Sequence, residues 1–412
     1  MKLLLTNIRE LAQVREETIL FLKGKEMGTL PVLENAFLSV ENDVIKEYGP
    51  MAHCPVPDKN TEVIDCKGSI VLPAWCDSHS HLVYAGNRET EFVNRIKGLS
   101  YEEIAAKGGG ILNSAKKLRE TPEEVLYQES LPRLHEICTL GTGAIEIKSG
   151  YGLTTESELK MLRVIQRLKK HHPVTVKCTF LGAHAIPEKY NGSSSRYLDV
   201  VINEMLPLVA EENLADYVDI FCEKGYFSVK DTERLLEASA HYGLLPKIHV
   251  NQFTILGGVA SAVKHSALTV DHLELINDDD LAALENSSTM PVALPGCSFF
   301  LGIPYTPARR LLERDIPLAL ASDLNPGSSP SGNMNLVVAL ACIKMKMTPE
   351  EAINAATING AYAMGLHATH GSITKGKKAN IIITKKIPGL AHIPYAFGSN
   401  PVEKMILNGK PV

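Results

Sequence analysis

The stretch SIVLPAWCDSHSH, residues 69–81, is apolar from Ile70 to Cys76 and then ends in Asp77-Ser78-His79-Ser80-His81. A short apolar run closed by polar residues reads as a strand buried on both faces, the kind a parallel sheet needs. Seven more runs of this character follow: TGAIEIK (142–148), VTVKCTFLG (174–182), YVDIFCEK (217–224), PKIHVNQ (246–252), LTVDH (268–272), MPVALP (290–295) and PLALASD (317–323). Helical stretches separate them. In TESELKMLRVIQRLKK (155–170), Thr155 and Glu158 have capping-box spacing ahead of apolar Leu159, Leu162 and Leu168. Eight strand-then-helix units predict an α/β fold, a (β/α)8 TIM-like barrel over residues 69–370.

The two chain ends have a different character. AFLSVENDVIKEYGP (36–50) reads as two strands joined at Asn42-Asp43, and GSITKGKKANIIITKK (371–386) and VEKMILNGKPV (402–412) are also strand-like. Residues 1–68 and 371–412 are therefore expected to build one small β-sandwich together.

Composition narrows the function. The 412 residues are 45% hydrophobic and 22% charged with a net charge of −5, enough for a large core and without the basic footprint that nucleic acid or an anionic membrane requires. No window approaches eighteen uninterrupted apolar residues, and Arg9 and Glu10 interrupt the N-terminal apolar run, so neither a transmembrane helix nor a signal peptide is expected. Cys54, Cys66, Cys76, Cys138, Cys178, Cys222, Cys297 and Cys342 are scattered with no Cys-x-x-Cys pair, which suits buried thiols in a reducing cytoplasm.

In a (β/α)8 barrel chemistry gathers at the C-terminal ends of the strands, so polar residues closing an apolar strand are the informative ones. Residues i and i+2 of a strand share a face, so His79 and His81 can reach one ion. His249 closes the fifth strand, and Asp323 closes the eighth, where an isolated carboxylate would be costly without a cation. Three neutral imidazoles and a carboxylate suit one ion such as Zn or Fe and leave a position for water. Such a site can lower the pKa of water to about 7, and Asp323 can take the proton and pass it to a leaving nitrogen. His272, ending the sixth strand, can donate to the oxyanion that forms at an attacked carbonyl, although a satisfied core histidine is its alternative.

The N-terminal β run with His79-Ser80-His81, His249, His272 and Asp323 resembles the mononuclear branch of the amidohydrolase superfamily over nearly the whole chain. Within it, EIKSGYGL (146–153), TFLGAHAIP (179–187) and SDLNPGSSP (322–330) are similar to the imidazolonepropionases of histidine degradation. That resemblance implies opening of the cyclic amide of 4-imidazolone-5-propanoate to N-formimidoyl-L-glutamate, a small anionic substrate, and a homodimer. It makes Arg88 a bidentate clamp for a propionate tail, a position where a solvated surface arginine is the alternative. It has Tyr151 and His184, with Tyr101 beside them, donate hydrogen bonds to that carboxylate or to the ring.

After Asp323, the small residues of Asn325, Gly327 and Ser328 are expected to let backbone N–H groups approach an anion, against the alternative of a simple Pro-Gly turn. Gln252 joins Asp323 and His272 as a group acting on the ring, yet it replaces the glutamate of some family members, so hydrogen bonding is retained there and proton transfer is not. Ala74-Trp75 replaces a Gly-aromatic pair, a packing change. Gly108-Gly109-Gly110 lacks the Gly-Lys-Ser/Thr of a phosphate loop and is expected to permit movement at the mouth. Two other readings stay open: a nucleobase deaminase on the same metal set, and a scaffold of this fold without catalysis.

Overall fold

The computed structural model describes residues 2–99, 103, 109–190 and 192–412. Tyr101 and Gly108 lie outside the described residues. In chain order the strands are β1 Lys2–Ala12, β2 Val32–Glu41, β3 Val44–Pro50, β4 Thr61–Asp65 and β5 Ile70–Pro73. Then come β6 Trp75–Asp77, β7 Thr142–Lys148, β8 Thr175–Ala183, β9 Tyr217–Cys222, β10 Leu245–Val250, β11 Thr269–His272, β12 Met290–Ala293 and β13 Ala319–Leu320. The last are β14 Ile381–Thr384, β15 Val402–Leu407 and β16 Lys410–Pro411.

Strands β6 to β13 pair parallel, each with its neighbour in sequence, and form the expected eight-stranded barrel. Its ends meet just beyond the ladders, where the Asp323 N–H donates to His79 O at 2.9 Å and the His81 N–H donates to Leu324 O at 2.8 Å. Asp77 secures the same seam, accepting from the Ser322 N–H and hydroxyl. Closure therefore brings the first and eighth strand ends, and the three polar side chains they carry, side by side.

The remaining strands form a mixed sheet from both chain ends, in the order β16-β15-β14-β5-β1-β2-β3 with β4 on β1, folded as a small β-sandwich. The hairpin at Asn42-Asp43 is present, with Asn42 in the left-handed region its turn requires. Leu3, Leu5, Ile8, Val71, Ile381 and Ile406 meet in its core, separate from the main cluster around the barrel. The run 69–81 is not one strand. Ile70–Pro73 pairs with β1 and β14, and the chain passes at Ala74 into the barrel, where Trp75–Asp77 pairs with β7. Both halves are wholly buried, so no polar residue marks the change of sheet.

The helix after β7 also begins differently. Thr154, not Thr155, is the N-cap of Thr155–His171 and accepts from the Ser157 N–H. Glu158 instead turns its buried carboxylate on the preceding loop, accepting from the N–H groups of Gly150, Gly152 and Leu153. A carboxylate with three backbone donors fixes that loop, and Tyr151 with it.

Candidate active site

Alternation along the barrel strands sends every second side chain inward, and here several inward positions are polar. On β7 these are Glu146 and Lys148, on β9 Asp219, on β10 Lys247 and His249, and on β11 Asp271. The sequence reading passed over all of them but His249. The available signal was a charge inside an apolar strand, as in YVDIFC and LTVDH, since such a residue has no solvent to face.

Asp271 accepts from His79 Nδ1 at 2.6 Å, and Asp219 accepts from His249 Nδ1 at 3.0 Å. With each Nδ1 proton held by a carboxylate, Nε2 is left as the lone-pair donor. Both of these Nε2 atoms are buried without a hydrogen-bond partner among the described residues. One nitrogen from each of His79, His81 and His249 lies within 4.8 Å of the other two. Asp323 Oδ1 is 3.6 Å from both His79 Nε2 and His81 Nε2. That is too long for a hydrogen bond but close to the roughly 3.4 Å between two atoms that each sit about 2.1 Å from a shared tetrahedral ion.

Electrostatics agree with a cation. Burial pushes the Asp323 carboxyl upward, the cost of holding a carboxylate here without a full counter-charge. Burial also holds His79 and His81 well below the usual histidine range, so they are neutral and able to ligate. The site fits a metal ion bound by His79, His81, His249 and Asp323.

His81, His249 and Asp323 line a cavity of about 470 Å³, with the His79 ring buried against the two histidines, and the cavity also presents Arg88, Tyr151, His184, Gln252, His272, Asn325, Gly327 and Ser328. Every site residue expected from the sequence within the described residues therefore meets in one place or lies directly beneath it. The cavity adds residues the sequence reading did not name, among them Arg95, Phe221, Tyr226 and Phe253. Cys297, on the helix Pro295–Leu301, lies under the floor and accepts from Gln252 Nε2 at 3.4 Å.

Arg88 is oriented by Glu91, which accepts from its Nε at 2.8 Å and its Nη2 at 2.5 Å. Its Nη1 passes so close to Gly327 that a Cβ there would stand 2.2 Å away, which explains a glycine at 327. Glu91 also accepts from the Gly110 N–H, tying Gly110 to the Arg88 helix. Arg95 Nη2 donates to Gly327 O at 2.9 Å, fastening the same loop.

Two expected contacts take another form. The N–H groups of Gly327 and Ser328 both donate to Asn325 Oδ1 at 2.8 Å, so the loop's own asparagine occupies the donors that were expected to face an anion. His184 Nδ1 lies 3.1 Å from Gly150 O, made reachable by a glycine with φ of 108°. A carbonyl only accepts, so Nδ1 carries the proton, and burial lowers the ring to about 3 and keeps it neutral. His184 therefore offers Nε2 as an acceptor and suits a ring N–H, where the sequence reading had it donate.

His272 behaves oppositely. Burial opposes its charge, but the carboxylate of Glu274, 3.2 Å from Nδ1, prevails and raises the ring to about 9. It enters the cavity as a cationic donor. The backbone turns sharply around this rim, with Asn251, His272, Leu273 and Asp323 all at positive φ. Non-glycine residues hold that conformation at a cost of about 1–3 kcal/mol each, which the surrounding packing must sustain.

Residues 221–412 match the amidohydrolase family. The chain is 63% identical over 410 residues to the imidazolonepropionase of Christiangramia forsetii, covering 100% of both chains, and 61% identical over 407 residues to that of Flavobacterium johnsoniae, covering 99% of both. Among solved structures, 5-methylcytosine deaminase from Klebsiella pneumoniae superposes with a TM-score of 0.74 at 17% identity, covering 100% of this chain and 97% of that one, a likeness of fold. A metal-dependent hydrolase fold, a buried histidine-carboxylate set and full-length identity above 60% converge: the chain belongs to the imidazolonepropionase family.

Proposed function

We propose that this enzyme hydrolyses the ring amide of 4-imidazolone-5-propanoate to N-formimidoyl-L-glutamate in L-histidine degradation, with one ion, zinc or iron, at His79, His81, His249 and Asp323. The observation that carries this reading is the lining of the cavity: a histidine-carboxylate cluster and an arginine braced by Glu91 open on the same space. A cyclic amide with an anionic tail spans those two features, whereas a neutral nucleobase has no use for the clamp.

When bound, the ion supplies Lewis acidity to water and to the ring carbonyl. Asp323 receives the proton of the attacking water and delivers it to the ring nitrogen as the C–N bond breaks. His272 donates to the carbonyl oxygen as negative charge gathers there. Arg88 grips the propionate, with the Tyr151 and Ser328 hydroxyls beside it. His184 Nε2 accepts from a ring N–H, and Gln252 adds an amide hydrogen bond without moving a proton. Asn325 and Gly327 act by shape, holding the loop so that Arg88 can lie against it.

The reading includes a homodimer in the cytoplasm. The eight cysteines are all free thiols, which suits a reducing compartment, and no described helix is long and apolar enough to cross a membrane. The test follows the ultraviolet absorbance of imidazolone-propanoate with and without a chelator. Loss of substrate that stops with chelation supports the reading. Ammonia release from guanine or cytosine, with the imidazolone untouched, would replace it with a deaminase.

A further inference from the structure

Beneath the histidines lies a buried charged group that the proposed chemistry does not use. Lys148, at the end of β7, is wholly buried, and its ammonium donates to Glu146 Oε1 at 2.5 Å and to Asp219 Oδ2 at 2.8 Å. The same nitrogen stands 3.6 Å from Asp271 Oδ2. Asp219 and Asp271 are the carboxylates that hold the Nδ1 atoms of His249 and His79. One ammonium thus reaches the supporting carboxylates of two imidazoles that come from β10 and from just beyond β6.

We infer that Lys148 is a positioning residue for the metal: by anchoring Asp219 and Asp271 together it fixes the tautomer and aim of His249 and His79. The inference rests on the metal reading above. Outer carboxylates orient ligating histidines, and losing such a partner typically costs about 10–100-fold in metal affinity. The polar partners of Lys148 are carboxylates and neither histidine, so its hold on the two rings runs through Asp219 and Asp271. Glu146 completes the arrangement, accepting from Lys148, from the Thr179 hydroxyl and from Lys247. A purely structural role for Lys148 would be to neutralise Glu146, and a charge-balanced variant separates the two roles.

Full-length protein stripped of metal is titrated with Co²⁺, following the visible absorption of the bound ion, and folding is followed by circular dichroism and melting temperature. The parent is compared with Lys148→Met and with Glu146→Gln/Lys148→Met, which removes one charge of each sign. The expected result is that the double variant folds, regains melting temperature lost in the single variant, and still binds Co²⁺ about 10–100-fold more weakly with an altered spectrum. Folded variants whose affinity lies within about threefold of the parent and whose spectrum is unchanged overturn the inference. Failure of both variants to fold overturns it as well, by making Lys148 a strut of the core. A parent that takes up no Co²⁺ defeats the metal reading itself, and this inference with it.

Discussion

Gly327→Ala tests whether Arg88 is aimed at a substrate tail. The added Cβ would stand 2.2 Å from Nη1, where ordinary contact begins at 3.4 Å, so the guanidinium must retreat by about 1.2 Å. The retreat is easy for folding, because the obstructing atom is the end of a long side chain and φ at 327 is not positive. It is not easy for function, because Glu91 pins Nε and Nη2 and the group must either break those bonds or swing out of line. Misplacing a positioning group by about 1 Å can cost about 100-fold, and a range of about 10–100-fold in kcat/KM equals about 1.4–2.8 kcal/mol. Steady-state kinetics on imidazolone-propanoate should show that loss mainly as a raised KM, with melting temperature nearly unchanged. Arg88→Ala should behave alike. A variant with parental KM would refute the placement of the carboxylate at Arg88.

Asp323→Asn should fold normally yet lose about 1,000-fold or more in kcat, since it removes a ligand and the proton carrier together; a rate within about tenfold of the parent would contradict that role. Glu274→Gln bears on His272, which donates only while protonated and is raised to about 9 with Glu274 beside it. Without that carboxylate burial dominates, so the alkaline limb of the kcat/KM profile should move to lower pH, and an unmoved limb would remove His272 from the reaction. Glu158→Ala leaves the N–H groups of Gly150, Gly152 and Leu153 without their acceptor, so denaturant melts should show a loss of about 2–4 kcal/mol, and KM should rise as Tyr151 and His184 loosen. Parental stability would show that water replaces the carboxylate at no cost.

The barrel was legible because strands covered on both faces are predominantly apolar, so all eight announced themselves, even β13 with its two paired residues. The passage from one sheet to the other at Ala74 left no trace, because both sheets bury that stretch equally. The histidines and Asp323 stood out because each closes an apolar run. Asp219, Asp271, Glu146 and Lys247 lie inside such runs, where a polar residue looks like an interruption until its partners across the barrel are seen, and Lys148 closes its run as a solvent-facing lysine ordinarily does. Glu91 and Arg95 were unreadable for another reason. Charged residues on a short helix are ordinarily solvated, and only the fold turns Glu91 to Arg88 and Arg95 to Gly327.

The hydrogen-bond sense of His184 also lay beyond the sequence, since it depends on a carbonyl oxygen, that of Gly150, brought near by the loop that Glu158 secures. The same applies to the donors of Gly327 and Ser328, which a side chain two or three residues away had already taken.

The central claim is a single ion held by four side chains from three separate strand ends. A crystal structure of metal-loaded protein, with anomalous scattering recorded at the metal edge, tests it most directly. One peak should lie about 2.0–2.2 Å from nitrogens of His79, His81 and His249 and from an oxygen of Asp323. A peak among His272, Glu274 and Cys297, the other buried cluster of suitable ligands among the described residues, with His249 or Asp323 out of bonding reach, would contradict it.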